Sequence, residues 1–133
     1  MKLYIDEPGR PEVLAALARA DAVATVRISY VEARAAFARH RRERIIARTT
    51  LRAMVRDLDR DWGAYNVVEV VEPLVRHAAA LAERHALRGY DAVQLAAALT
   101  LRRVLRDVEF ATFDEHLEAA AAHEKLSVTR PYS

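Results

Sequence analysis

Three acidic side chains, Glu32, Asp91 and Asp114, carry the clearest chemical pattern in this chain of 133 residues. Each stands where an apolar, strand-like run gives way to a helical one. The segments are Val23-Ala24-Thr25-Val26 before Ser29-Tyr30-Val31-Glu32, then Leu87-Arg88-Gly89-Tyr90-Asp91, then Phe110-Ala111-Thr112-Phe113-Asp114. In an open α/β sheet such junctions collect in one crevice at the carboxyl ends of the strands. Carboxylates far apart in sequence can meet there on Mg2+ or Mn2+, ions that prefer hard oxygen donors and keep several waters. Such ions serve phosphodiester hydrolysis by polarising the phosphate, acidifying an attacking water and neutralising the leaving oxygen.

Each acid also has a plainer explanation. Ser29-Tyr30-Val31-Glu32 has the form of a capping box, Ser at N-cap and Glu at N3, worth about 1 kcal/mol of helix stability. Thr112-Phe113-Asp114-Glu115 repeats that form, and Asp91 and Asp114 both suit the positive end of a helix dipole. Taken singly, Glu32 and Asp114 read better as caps. Asp91 is evenly balanced, because it leads straight into Ala-Val-Gln-Leu-Ala-Ala-Ala-Leu. A charge so close to an apolar interior calls for a partner or a metal.

The elements that must position these acids follow from periodicity and turn chemistry. Pro11, followed by Val13, Leu14 and Leu17, predicts a helix over 11–20, and 22–26 reads as a short buried strand. A helix over 29–40 follows, with Val31, Ala35 and Ala36 at helical spacing. Another covers 43–60 and is expected to bury Ile45, Leu51, Met54, Val55 and Leu58. Residues 66–71 are β-branched and read as a strand. Pro73 opens a helix to 85 with Leu74, Ala78, Leu81 and Ala82 inward, and 90–104 is the most apolar helix of all. A strand over 108–112, a helix over 115–123 and a strand over 126–129 complete the chain. Short strands alternating with helices imply a mostly parallel central sheet covered by helices on both faces.

Composition sets the outer limits. The length suits one domain with its own core. There is no cysteine, which excludes structural disulfides and thiolate metal sites and favours, mildly, a cytoplasmic location. No run approaches membrane-spanning length, and Met1-Lys2-Leu3-Tyr4-Ile5-Asp6 lacks the apolar core of a signal peptide. The net charge of +2 permits an anionic partner without demonstrating one. Lys2 and Lys125 are the only lysines, so the basic residues are nearly all arginine, which suits phosphate recognition. The five histidines show no ligand spacing on a helix face, and Trp62 and Tyr65 around Gly63 read as a seal on the core edge.

Together, Ser29-Tyr30-Val31-Glu32-Ala33-Arg34-Ala35-Ala36, Leu87-Arg88-Gly89-Tyr90-Asp91-Ala92-Val93-Gln94-Leu95-Ala96 and Thr112-Phe113-Asp114-Glu115-His116-Leu117 resemble the PIN-domain family. They are most similar to its VapC-like ribonuclease toxins of bacterial toxin–antitoxin pairs. The resemblance runs over essentially the whole chain, and the order and spacing of the three blocks are more specific than any one of them. It implies a three-layer α/β fold and a magnesium- or manganese-dependent endoribonuclease. Glu32, Asp91 and Asp114 would be the metal-binding catalytic acids, and Thr112 would assist through its hydroxyl. It further implies a small cognate antitoxin as partner and frequent homodimerisation.

One departure stands out. The family opens with a central strand ending in an aspartate, whereas Met1-Lys2-Leu3-Tyr4-Ile5-Asp6-Glu7-Pro8-Gly9 looks like the end of the following helix and its loop. Relative to the family the first strand and its aspartate are therefore expected to be missing, and Asp6 reads as a solvated turn residue. A start codon placed too late is favoured over gene decay or repair by a partner chain. The expected consequence is weak or absent nuclease activity, with a non-catalytic PIN scaffold that engages antitoxin or RNA as the rival. Finally, Arg39, Arg41 and Arg42, followed by Arg44 and Arg48, could contact RNA phosphates. A solvated helix end and loop is the more economical reading of that run.

Overall fold

The computed structural model describes residues 22–105, 107–112 and 114–129. The helix expected over 11–20, the turn at Asp6 and the side chain of Phe113 lie outside them. In chain order the elements are β1 (Ala24–Val26), α1 (Ser29–Arg42), α2 (Arg48–Trp62), β2 (Asn66–Val68), α3 (Glu72–His85), α4 (Gly89–Val104), β3 (Glu109–Ala111), α5 (Glu115–His123) and β4 (Ser127–Thr129). The α/β class is therefore observed, in a helix-rich form. The strands form two separate pairs among the described residues, β1 with β2 and β3 with β4. The second pair is parallel, with Phe110 opposite Val128. The strands are shorter than expected because Val70 and Val71, the end of the β-branched run after β2, stand exposed instead of extending the ladder. The chain divides into two compact units, Met1–Val67 and Val68–Ser133.

The first unit is built on an antiparallel α1–α2 hairpin. Ala33 and Phe37 of α1 bury against Met54 and Leu58 of α2, with Leu51, Val55 and Trp62 packed around them. Val31 is 62% exposed, so the inward face of α1 is not the Val31–Ala35–Ala36 stripe. The large ring at Phe37 decides the orientation, because burying it stabilises more than burying alanines would. Ile45 is 60% exposed and α2 starts at Arg48, later than position 43, since residues 43–47 make the turn between the helices. That turn is a Schellman motif: the Arg44 N–H donates to the Arg41 carbonyl at 3.1 Å and the Ile45 N–H to that of His40 at 2.9 Å. At the open end of the hairpin the Tyr30 hydroxyl donates to Asp59 Oδ1 at 2.5 Å, and the Trp62 ring meets Tyr30 edge-on at 5.4 Å. Trp62 thus seals the core edge, as its position after the long helix suggested.

The second unit is organised around α4. Ala92, Leu95, Ala96, Ala97, Ala98 and Leu99 are all buried, so this helix is enclosed on several sides. Leu74, Ala78 and Leu81 of α3 and Leu117, Ala120 and Ala121 of α5 are also buried. Truncating a buried leucine such as Leu81 or Leu95 to alanine costs about 2–5 kcal/mol. Small alanines let helix axes approach closely, while the leucines supply the apolar area.

A polar clamp ties the far ends of these helices. Glu124, just after α5, accepts from Arg84 Nη1 at 2.7 Å and from His85 Nε2 at 2.6 Å. Its backbone carbonyl accepts from Arg102 Nη1 of α4 at 3.0 Å. His116 Nε2 donates to the His85 carbonyl at 2.7 Å, and the His85 and His123 rings meet edge-on at 5.4 Å. The hydrogen bonds from His85 and then Arg84 hold the Glu124 carboxyl below the usual carboxylate range. A depressed carboxyl adds stability that is fully present above its unfolded value of ~4.3 and is lost as pH falls through the folded one. In urea unfolding from pH 6 down to pH 3, Glu124→Gln is therefore expected to show a shallower acid loss of stability than the parent; parallel curves would disprove the linkage.

Two helices of this unit close on non-glycine residues in the left-handed region, Ala86 (φ 53°) and Lys125 (φ 64°). Behind Lys125 the bonds are again those of a Schellman motif, Lys125 to Ala122 at 2.9 Å and Leu126 to Ala121 at 3.0 Å. Glycine carries no Cβ penalty there. Lys125→Gly should raise stability by about 0.5–1 kcal/mol in thermal unfolding, and a destabilised variant would show that other contacts of Lys125 outweigh its backbone strain.

Candidate functional site

Glu32 is an exposed residue in the first turn of α1. The capping-box explanation does not hold, because Ile28 already has helical dihedrals (φ −68°, ψ −16°) and takes the N-cap position without a side-chain bond. Ser29 is consequently inside the helix, and Glu32 N–H donates to the Ile28 carbonyl at 3.1 Å. Among the described residues the Glu32 carboxylate makes no hydrogen bond or ion pair, so the structure gives it no capping duty. The helix dipole remains its only local support.

Asp91 is the third residue of α4 and half-buried. Its depth comes from Ala92, which is fully buried beside it. The preceding N-cap, Arg88, makes no side-chain cap, and Gln94 Nε2 donates to the Tyr90 hydroxyl at 2.9 Å in the same turn.

Asp114 does act as a cap. It is the N-cap of α5, and its Oδ1 accepts from the Leu117 N–H at 2.9 Å. The capping residue is thus Asp114 rather than Thr112, two positions away from the box read in the sequence. Thr112 is half-buried, and its Oγ1 accepts from the Asp114 N–H at 3.1 Å, fixing the entry to the helix. This arrangement consumes one carboxylate oxygen and leaves Oδ2 without a hydrogen bond among the described residues.

Thr112 and Asp114 are therefore brought into contact, Asp91 lies in the same unit, and Glu32 lies in the other. Among the described residues, neither unit by itself gathers three carboxylate or imidazole groups able to hold a metal ion. The donors that are present are carboxylate and hydroxyl oxygens, the set that suits Mg2+ or Mn2+ and not a softer metal. His85 Nε2 and His116 Nε2 are committed to Glu124 and to a carbonyl.

Arg39 and Arg42 are exposed and Arg41 is half-buried, in the last turn of α1. Two polar groupings were not legible in the sequence. Tyr30 bridges Asp59 and Arg34, whose Nη1 donates to its hydroxyl at 2.9 Å. Glu124 joins residues about forty positions apart. Both need knowledge of which helix ends meet, and no local spacing supplies it.

Glu32 and Asp114 thus stand at strand-to-helix junctions of an α/β protein, while Asp91 opens a helix that follows another helix. The PIN domain family model matches residues 1–123, and the chain belongs to the PIN-domain family. It is similar to "Ribonuclease VapC45" of Mycobacterium tuberculosis (strain CDC 1551 / Oshkosh), at 38% identity over 101 residues, 76% of this chain and 70% of the relative. The same figures hold for "Ribonuclease VapC49" of Mycobacterium tuberculosis (strain ATCC 25618 / H37Rv).

Capping and chemistry can be separated at Asp114. Asp114→Ala is expected to lower unfolding stability by about 1 kcal/mol, while Asp114→Asn keeps the cap and stays within about 0.5 kcal/mol of the parent. Glu32→Gln should also be nearly neutral in the same urea titration. A large loss for Glu32→Gln would reveal a structural duty that its exposed position does not suggest.

Proposed function

We propose that this chain is a ribonuclease of the toxin–antitoxin type, acting in the cytoplasm on RNA and restrained by a small cognate antitoxin. The observation that carries the reading is the coincidence of the family match with acids at two strand-to-helix junctions, Glu32 and Asp114, and with Asp91 at the start of α4, which follows α3 and not the strand-like run expected there. The match extends across both compact units, which supports treating residues 1–133 as one PIN-like, three-layer domain. Similarity to two proteins named as ribonucleases supports the activity.

In this proposal Glu32, Asp91 and Asp114 hold a magnesium or manganese ion. Such an ion, when bound, supplies charge neutralisation at the scissile phosphate and lowers the pKa of an attacking water. The side chains divide the remaining work. Asp91, half-buried at the head of the rigid helix α4, is a fixed negative charge whose direction does not wander. Thr112 sets the backbone of Asp114, so that Oδ1 stays on the helix end and Oδ2 faces outward for a ligand. Glu32, with no competing hydrogen bond among the described residues, turns toward a cation at little cost. Arg39, Arg41 and Arg42 offer charge-assisted donors to RNA phosphates.

Metal-dependent RNA cleavage is proposed to need each of these three acids, Glu32, Asp91 and Asp114. A second reading, a non-catalytic PIN-like scaffold, draws on the absence of a three-ligand group in either described unit. Titration of Mn2+ by calorimetry separates them. Millimolar binding that disappears in Asp91→Asn, with metal-dependent RNA cleavage lost in the same variant, is the expected result. No heat of binding at millimolar metal would favour the scaffold, and RNA cleavage that survives in Asp91→Asn would overturn the role given to that acid.

A further inference from the structure

The positive charge of this protein is concentrated at one place. Arg39, Arg41, Arg42, Arg44, Arg48 and Arg52 face a single acid, Glu43, between positions 39 and 52. That stretch is net +5, so with a total of +2 the other 119 residues together are net −3. The α1–α2 hairpin folds these six arginines onto its closed end, because Tyr30 meets Asp59 and Trp62 at the open one. Along α2, Arg48, Arg52, Arg56 and Arg60 recur every fourth residue and are all exposed. The two near the open end are neutralised: Arg60 pairs with Asp57 and Asp61 at 3.3 Å, and Arg56 with Asp57 at 3.6 Å. The two near the closed end, and the four others of the cluster, make no ion pair among the described residues.

Helix electrostatics accounts for only part of this. Arginines in the last turn of α1 complement the negative end of its dipole. Arg48 opens α2, where a cation opposes the dipole, and the first turn of α2 holds no acid. Arg44 takes a left-handed conformation (φ 58°) at a position that favours glycine. Local stability is thus set aside twice, each time in favour of an arginine.

We propose that the closed end of the α1–α2 hairpin is a docking surface for the RNA backbone, separate from Glu32. It rests on the RNA reading above and adds a length requirement to the substrate. Within α1, ten residues separate Glu32 from Arg42, so the two lie about 15 Å apart along the helix axis. An RNA that reaches both points must extend several nucleotides away from the acid end. Arginine favours phosphate over other anions through its planar fork of donors. Ile45 is the only large apolar residue exposed within 39–52, too little apolar area to anchor a membrane surface.

The test uses the full chain in EDTA, so that binding is read without cleavage, with labelled oligoribonucleotides of graded length in fluorescence anisotropy. The triple variant Arg44→Gln, Arg48→Gln, Arg52→Gln should bind long RNA about tenfold more weakly at ~0.1 M salt and lower the log–log salt slope by about 2. The shortest oligonucleotides should bind parent and variant alike. Replacing the same three arginines with lysine should retain the slope, and Arg76→Gln with Arg103→Gln should change neither quantity; thermal unfolding checks that each variant folds. No binding by the parent, or equal binding by parent and triple variant, overturns the proposal. A loss on anionic vesicles or polyglutamate without a loss on RNA assigns the surface to another polyanion and overturns it equally. Arginine-dependent binding by a chain that never cleaves RNA leaves this surface standing and removes only the nuclease reading.

Discussion

The enclosure of α4 is the constraint on which the second unit depends. A helix buried through Ala92, Leu95, Ala96, Ala97, Ala98 and Leu99 can neither rotate nor slide without opening voids on several sides. Its first turn, which holds Asp91, inherits that rigidity. The clamp at Glu124 joins the ends of α3 and α5 to the last turn of α4. Apolar packing fixes position along the bundle, and the clamp fixes which ends stay together. Burying each leucine contributes about 1.5–3 kcal/mol.

Much of this arrangement was legible in the sequence where periodicity was strong. The α3 helix behind Pro73, the burial of α4, and α5 over Glu115–His123 all follow from apolar spacing and helix-start chemistry. The failures share one cause, which is that local pattern says nothing about competition for the same core. Val31 fits a helical stripe, yet Phe37 and Ala33 fill the space against Met54 and Leu58, and Val31 is left outside. Ile45 fits the pattern of α2, yet the chain must turn there. The capping boxes failed for a related reason: the backbone before Ser29 is already helical, and Asp114 displaces Thr112 as the cap. Which of the acids caps a helix was not readable, because that depends on dihedral angles one residue upstream.

The two units also differ in how they use charge. In the first, arginines crowd the closed end of a helical hairpin and acids collect near its open end, giving a strongly polarised element. In the second, arginines such as Arg84, Arg102 and Arg76 are engaged internally by Glu124 and Glu72. The near-neutral total conceals this division. A protein can be almost uncharged overall and still present a dense anion-attracting surface, since fields act over about a Debye length of 8–10 Å and not over the whole molecule.

The capping role of Asp114 changes what its presence means. A side chain that holds a helix end is retained by the demands of folding even in a lineage whose chemistry has lapsed. Glu32 enjoys no such protection, because nothing among the described residues uses its carboxylate. Under the proposed reading, drift at position 32 among descendants of this sequence would record a loss of function first, while an aspartate at 114 would persist as scaffolding and report nothing about catalysis.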